Sequence, residues 1–160
     1  MVQPRRSQPS APGAAEIARF APGLNALIAH PSAMPIAELR ALDGAQLANL
    51  DLVITSYGSL LRLPWLETVA WRVVVLDEAQ AIKNPATATT RAARKLQGTH
   101  RLVVTGTPVE NHLGELWSLM SFANPGLLGT HAAFKTRYAD YVGTAAGADA
   151  LEALRKRIAP

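Results

Sequence analysis

The 160-residue chain contains no cysteine, which excludes disulfide scaffolds and thiolate metal sites. It also has no apolar run near the roughly 20 residues needed to span a bilayer. The N-terminal stretch MVQPRRSQPSAPGAA carries basic residues with no apolar block behind them. It does not form a secretory signal, and a cytoplasmic setting is expected. The four lysines, Lys83, Lys95, Lys135 and Lys156, follow Ile, Arg, Phe and Arg. No glycine precedes a lysine, so the phosphate-cradling P-loop, G-x-x-x-x-G-K-[ST], is absent from these residues. What is present is apolar: hydrophobic residues make up 49% of the chain and charged residues 18%. That is enough for one core and, at this length, one domain. The net charge of +4 permits an anionic partner without requiring one.

Residues 1–13 are rich in Pro, Ser and Arg and are expected to be disordered. A globular pattern begins at Ala14. Strands are expected over Leu24–His30, Asp51–Tyr57, Trp71–Asp77 and His100–Gly106. A helix is expected over ATATTRAARKLQ, with Asn84 as N-cap, Pro85 at its first position and Gly98 as its stop. Further helices are expected at LGELWSLMSFA, HAAFKTRYADYV and DALEALRKRI. Near-continuous apolar strands separated by crossover-length segments describe an α/β fold with a parallel sheet covered on both faces. Ligands in such sheets bind at the carboxyl ends of the strands. Those ends read TSY, DEAQ and TGTP, and they are expected to share one rim.

The run RVVVLDEAQAIKNP (residues 72–85) ends in two adjacent acids, Asp77 and Glu78. A carboxylate pair at a strand end suits a hard cation such as Mg²⁺, which is typically held by one or two carboxylates plus substrate phosphates. The same pair also serves if Asp77 merely caps the next segment and Glu78 is solvated. VVLDEAQAIKNP followed by RLVVTGTPVENHLGELWSLMSFANPGLLG resembles the switch/sucrose-nonfermenting family of helicase-like ATPases in superfamily two. VITSYGSLLR extends the resemblance toward the N-terminus and FKTRYADYV toward the C-terminus. It implies a partial RecA-like three-layer lobe over residues 14–130, incomplete on its N-terminal side, with 131–160 a helical continuation toward a second lobe.

The resemblance also implies roles. Asp77 would coordinate Mg²⁺ bound with ATP, and Glu78 would activate the hydrolytic water. Gln80 would link the nucleotide site to the rest of the lobe. Thr105, Gly106 and Thr107 would relay nucleotide state, although a plain turn before Pro108 needs the same residue types. Thr55, Ser56 and Tyr57 would touch the DNA backbone, with Tyr57 equally readable as a core aromatic. His112 and Glu115 lack the second histidine that a zinc site needs. Trp117 and Leu116 read as core, and Arg91, Arg94 and Lys95 as a solvated face that can also meet phosphate.

The missing P-loop departs from the family. With it, the second lobe and its arginine finger are expected to come from outside this sequence, on the same protein or on a complementary chain. Two readings follow: a piece of a DNA-dependent ATPase and translocase, inactive alone, or a non-catalytic α/β module that binds DNA or a protein. A metal-dependent hydrolase built on Asp77 and Glu78 alone ranks last, for want of further ligands.

Overall fold

The computed structural model describes residues 13–106, 113–139 and 145–158. The chain folds as two compact units that divide between Leu66 and Glu67.

In the first unit, helix α1 (Ala14–Phe20) starts where Gly13, at φ 93°, turns the chain and donates its amide to Glu16. Strands β1 (Ala26–Ala29) and β2 (Leu52–Thr55) pair in parallel, from Ala26 opposite Leu52 to Ala29 opposite Thr55. Parallel strands need a crossover. Here it holds two short helices, α2 (Ile36–Arg40) and α3 (Gly44–Ala48). Gly44 opens α3 because Asp43 accepts from Gln46 N–H at 2.8 Å while the Gln46 side chain accepts from Asp43 N–H at 3.0 Å. This reciprocal cap satisfies two otherwise orphaned amides. Helix α4 (Tyr57–Leu60) follows β2 directly, so Tyr57 belongs to a helix and not to the strand end expected for it. A further helix, α5 (Trp65–Thr68), was not anticipated. It forms because Trp65 is buried and donates its indole N–H to the carbonyl of buried Leu39 at 2.8 Å.

The second unit holds β3 (Ala70–Leu76) and β4 (Gln97–Val103), again parallel, from Ala70 opposite Gln97 to Leu76 opposite Val103. Helix α6 (Ala88–Lys95) lies in the crossover. Three sequence expectations fail here. The N-cap of α6 is Thr87, whose hydroxyl accepts from Thr90 N–H, and Pro85 lies outside the helix. Asn84 works one turn earlier, taking the Ala86 amide on its side chain and the Thr90 hydroxyl on its carbonyl. Gly98 is not a helix stop but part of β4, which begins earlier than expected. A Cβ there would approach Val74 Cγ2 to 2.8 Å, so only glycine lets the strands pair this closely. The TSY end lies in the first unit, while the DEAQ end and the strand end at Thr105 and Gly106 lie together in the second.

Helix α7 (Leu113–Ala123) takes the span expected for it. The segment HAAFKTRYADYV departs from a regular helix: α8 (His131–Phe134) gives way to a wider π turn at Lys135–Ala139. Helix α9 (Ala145–Ile158) starts ahead of Asp149. Trp117, Leu128, Phe134, Tyr138 and Leu154 form the core that joins these helices. Val74, Leu76, Ala79, Ile82, Ala92, Ala93, Leu96 and Phe122 of this unit are also buried. The buried hydroxyls of Ser59, Thr90 and Ser118 all have partners, and no buried side-chain polar atom is left unsatisfied among the described residues. The fold is that of a partial RecA-like α/β lobe with parallel sheets.

Candidate active site

The acids stand at the end of β3 because the backbone on either side of them is tied to one residue. Val104 donates its amide to Leu76 O at 2.8 Å and accepts from Ala79 N–H at 3.0 Å. Leu76 and Ala79 are buried, whereas Asp77 and Glu78 between them are exposed. The two carboxylates are thus looped outward from a strand pair that stays closed. This loop needs a left-handed residue. Glu78, at φ 48° and ψ 50°, is the sole non-glycine with positive φ among the described residues. That conformation costs about 1–2 kcal/mol for an L-residue. Asp77 offsets part of the cost by accepting the Glu78 amide on Oδ1 at 2.9 Å.

Gln80 orients the second acid. Its Nε2 donates to Glu78 Oε2 at 2.6 Å, and its Oε1 accepts the Thr105 hydroxyl at 3.2 Å. A Gln amide is the one uncharged side chain of this length that can donate to a carboxylate and accept from a hydroxyl at once. The structure therefore brings together Asp77, Glu78, Gln80 and Thr105, with exposed Gly106 next to them. Thr107 and His112 lie outside the described residues.

The TSY residues sit in the other unit, and the hydroxyls of Thr55 and Ser56 have internal partners. Thr55 donates to the Ala29 carbonyl at 2.9 Å, and Ser56 shares a bond of 3.0 Å with buried Ser59. Tyr57 is half-buried.

IKNP and ELWSL, which carried much of the resemblance, are tied to each other. Lys83 meets Glu115 at 3.3 Å, and Ser118 donates to the Ile82 carbonyl at 2.5 Å from a fully buried position. They fix α7 against the turn that follows the acids. Arg94 overturns its expected solvated reading. Its guanidinium lies 4.3 Å from the Trp117 ring centroid and bonds Ser121, and burial holds its pKa below the ordinary arginine value. Lys95 pairs with Glu67 at 3.4 Å, and Arg91 donates to the Ala86 carbonyl. Composition could not reveal the Arg94 role, since the aromatic that receives it is 23 positions away in sequence.

The profile of the SNF2-related domain matches residues 14–160. Over 157 residues the chain is 39% identical to the TATA-binding protein-associated factor mot1 of Aspergillus fumigatus, covering 91% of this chain and 8% of that protein. It is 43% identical over 124 residues to YwqA of Bacillus subtilis, covering 77% of this chain and 13% of that one. The chain therefore spans about a tenth of the length of these relatives. Among solved structures, the Sulfolobus solfataricus SWI2/SNF2 ATPase core in complex with dsDNA superposes with a TM-score of 0.74 at 37% identity, covering 90% of this chain and 29% of that chain. Its strand-end acids, the pinned IKNP and ELWSL segments and these likenesses agree: the chain belongs to the SNF2-related domain family of helicase-like ATPases.

Proposed function

We propose that this chain is the later part of the first lobe of a DNA-dependent ATPase and translocase, supplying the metal-holding and water-activating acids. The observation that carries the reading is the outward loop of Asp77 and Glu78 between the two residues that Val104 holds, with Gln80 bridging Glu78 to Thr105. Asp77 and Glu78 fit Mg²⁺. They are two exposed carboxylates with no group of three or more ligand residues among the described ones. That is the donor set of an ion that takes its other oxygens from water and nucleotide phosphates. Bound with ATP, Mg²⁺ would neutralise charge on the phosphates during transfer.

On this reading Asp77 holds the ion and Glu78 accepts the proton of the attacking water. Gln80 keeps the Glu78 carboxylate aimed. A change in the Thr105 hydroxyl would reach Glu78 through one amide, which couples the TGT segment to the base. DNA engagement is supported by the solved relative, which was captured with dsDNA, and falls to Thr55, Ser56 and Tyr57, while Thr105, Gly106 and Thr107 relay nucleotide state. The P-loop and an arginine finger come from outside these 160 residues, on the same protein or a complementary chain.

The chain alone is then a binding module, the second reading, favoured by the absence of any Gly–Lys pair. Residues 1–160 should bind ATP·Mg²⁺ very weakly and release no phosphate, since an arginine finger alone is worth about 10³–10⁵ in rate. Isothermal titration and a phosphate-release assay with duplex DNA check this. Phosphate release stimulated by DNA and lost in Glu78→Gln would overturn it.

A further inference from the structure

Two arginines that nothing above uses meet at the C-terminal end of helix α4, Arg62 just beyond it and Arg40 on α2. Arg62 folds back so that its Nε donates to the Gly58 carbonyl at 3.3 Å, and Arg40 reaches across from α2 to donate its Nε to the Arg62 carbonyl at 3.0 Å. Both side chains are exposed. A Cβ on exposed Gly58 would lie 3.6 Å from Arg62 Nη2 and 4.0 Å from Ser56 Oγ. The bare glycine therefore leaves a small open spot walled by a guanidinium and a hydroxyl, with a second guanidinium anchored to the same stretch.

Charge balance makes the pair notable. The three ion pairs among the described residues, Lys83–Glu115, Lys95–Glu67 and Lys156–Glu152, all lie in the second unit. In the first unit the carboxylates of Glu16, Asp43 and Asp51 are taken by backbone amides of Gly13, Gln46 and Asn25. Glu38 is two positions from Arg40 on α2 and so on another side of that helix. Two guanidiniums are thus anchored to one five-residue stretch, and neither is in an ion pair among the described residues. Each anchoring bond consumes one N–H, while a guanidinium has five donors in a planar fork matched to phosphate.

We propose that Arg40 and Arg62, around Gly58, form a contact for the phosphate backbone of duplex DNA. The inference rests on the DNA-engaging reading given above and extends it. In the TSY stretch Thr55 and Ser56 use their hydroxyls inside the fold, so the binding strength comes from the two arginines beside it. Such contacts position a protein on the duplex without reading sequence.

The test is equilibrium binding of the full chain to a short labelled duplex by fluorescence anisotropy, repeated over a range of salt concentrations. Each phosphate neutralised contributes about 0.9 to the slope of log K against log salt. Joint replacement Arg40→Gln and Arg62→Gln should lower the slope by about 1.8, whereas Arg40→Lys with Arg62→Lys should keep most of it. A purely structural role, capping the α4 carbonyls, would make the Gln and Lys variants fall alike in melting temperature and leave the slope unchanged in both. Gly58→Ala guards against a folding defect. Its Cβ meets only ordinary contact distances, so the fold should hold while the spot is filled and affinity drops. An unchanged slope in the Gln variant, with the wild-type chain binding DNA, overturns this inference and leaves the ATPase reading standing. A wild-type chain that binds no duplex overturns this inference together with the DNA-engaging reading.

Discussion

Glu78→Gln is expected to lower ATP turnover by about 10²–10⁴-fold, the usual scale of general-base catalysis, while nucleotide still binds. The measurement is made once the chain is joined to a P-loop segment and a second lobe. The geometry makes the substitution clean. A Gln at 78 presents an amide oxygen where Glu78 Oε2 now accepts from Gln80 at 2.6 Å, so the bridge to Thr105 survives and only the proposed base is lost. Asp77→Asn should behave differently. Asn can still accept the Glu78 amide, which Asp77 Oδ1 takes at 2.9 Å, so the loop keeps its shape. The charge proposed to hold the metal is gone, however, and nucleotide–metal binding and turnover should weaken together. Equilibrium nucleotide binding and steady-state turnover, measured on both variants, separate the two roles. Unchanged turnover in Glu78→Gln would mean that the acids only shape a loop.

The second large effect concerns one face of the β3–β4 pair. Val74 and Leu76 point into the core, but their alternates do not. Val73 is 44% exposed, Val75 53%, Leu102 54% and Val104 51%. Val75 lies opposite Leu102 in the register, so the four form one continuous apolar strip. Parallel sheets are ordinarily covered on both faces, and an uncovered strip of this kind promotes association. Residues 1–160 in isolation should bind an apolar dye and sediment as more than a monomer. Val75→Thr combined with Leu102→Thr should reduce both effects while leaving the buried face untouched. A sharp monomeric boundary with a cooperative melt and no dye binding in the unaltered chain would show that the strip is covered in solution.

The strand ends were legible because an abrupt change from apolar to acid or hydroxyl is a local signal. RVVVLDEAQ and RLVVTG locate β3, β4 and the acids from residue type alone. The family resemblance added an order of motifs that no single one supplies. What stayed hidden depends on contacts distant in sequence. Helix α5 exists because Trp65 reaches the Leu39 carbonyl, 26 residues away. The early start of β4 depends on how closely Gly98 approaches Val74, and the α6 cap moved because Asn84 closes a turn of its own. Arg94 looked like part of a solvated basic face until Trp117 came to lie beneath it. The pairing of all strand ends along one rim was likewise an inference from fold rules, and the structure brings DEAQ and Thr105 together while TSY lies in the other unit.

The left-handed backbone of Glu78 sets what can be gained and lost at this position in a library of variants. Glycine adopts that conformation without the penalty borne by other residues, and asparagine bears less of it than most. A screen that scores only how much folded protein accumulates should therefore enrich Gly and Asn at position 78. One that scores motor activity should discard both and retain Glu. The two selections would pull in opposite directions at this residue. At Leu76 and Ala79, which are buried on either side of the acids, they would agree.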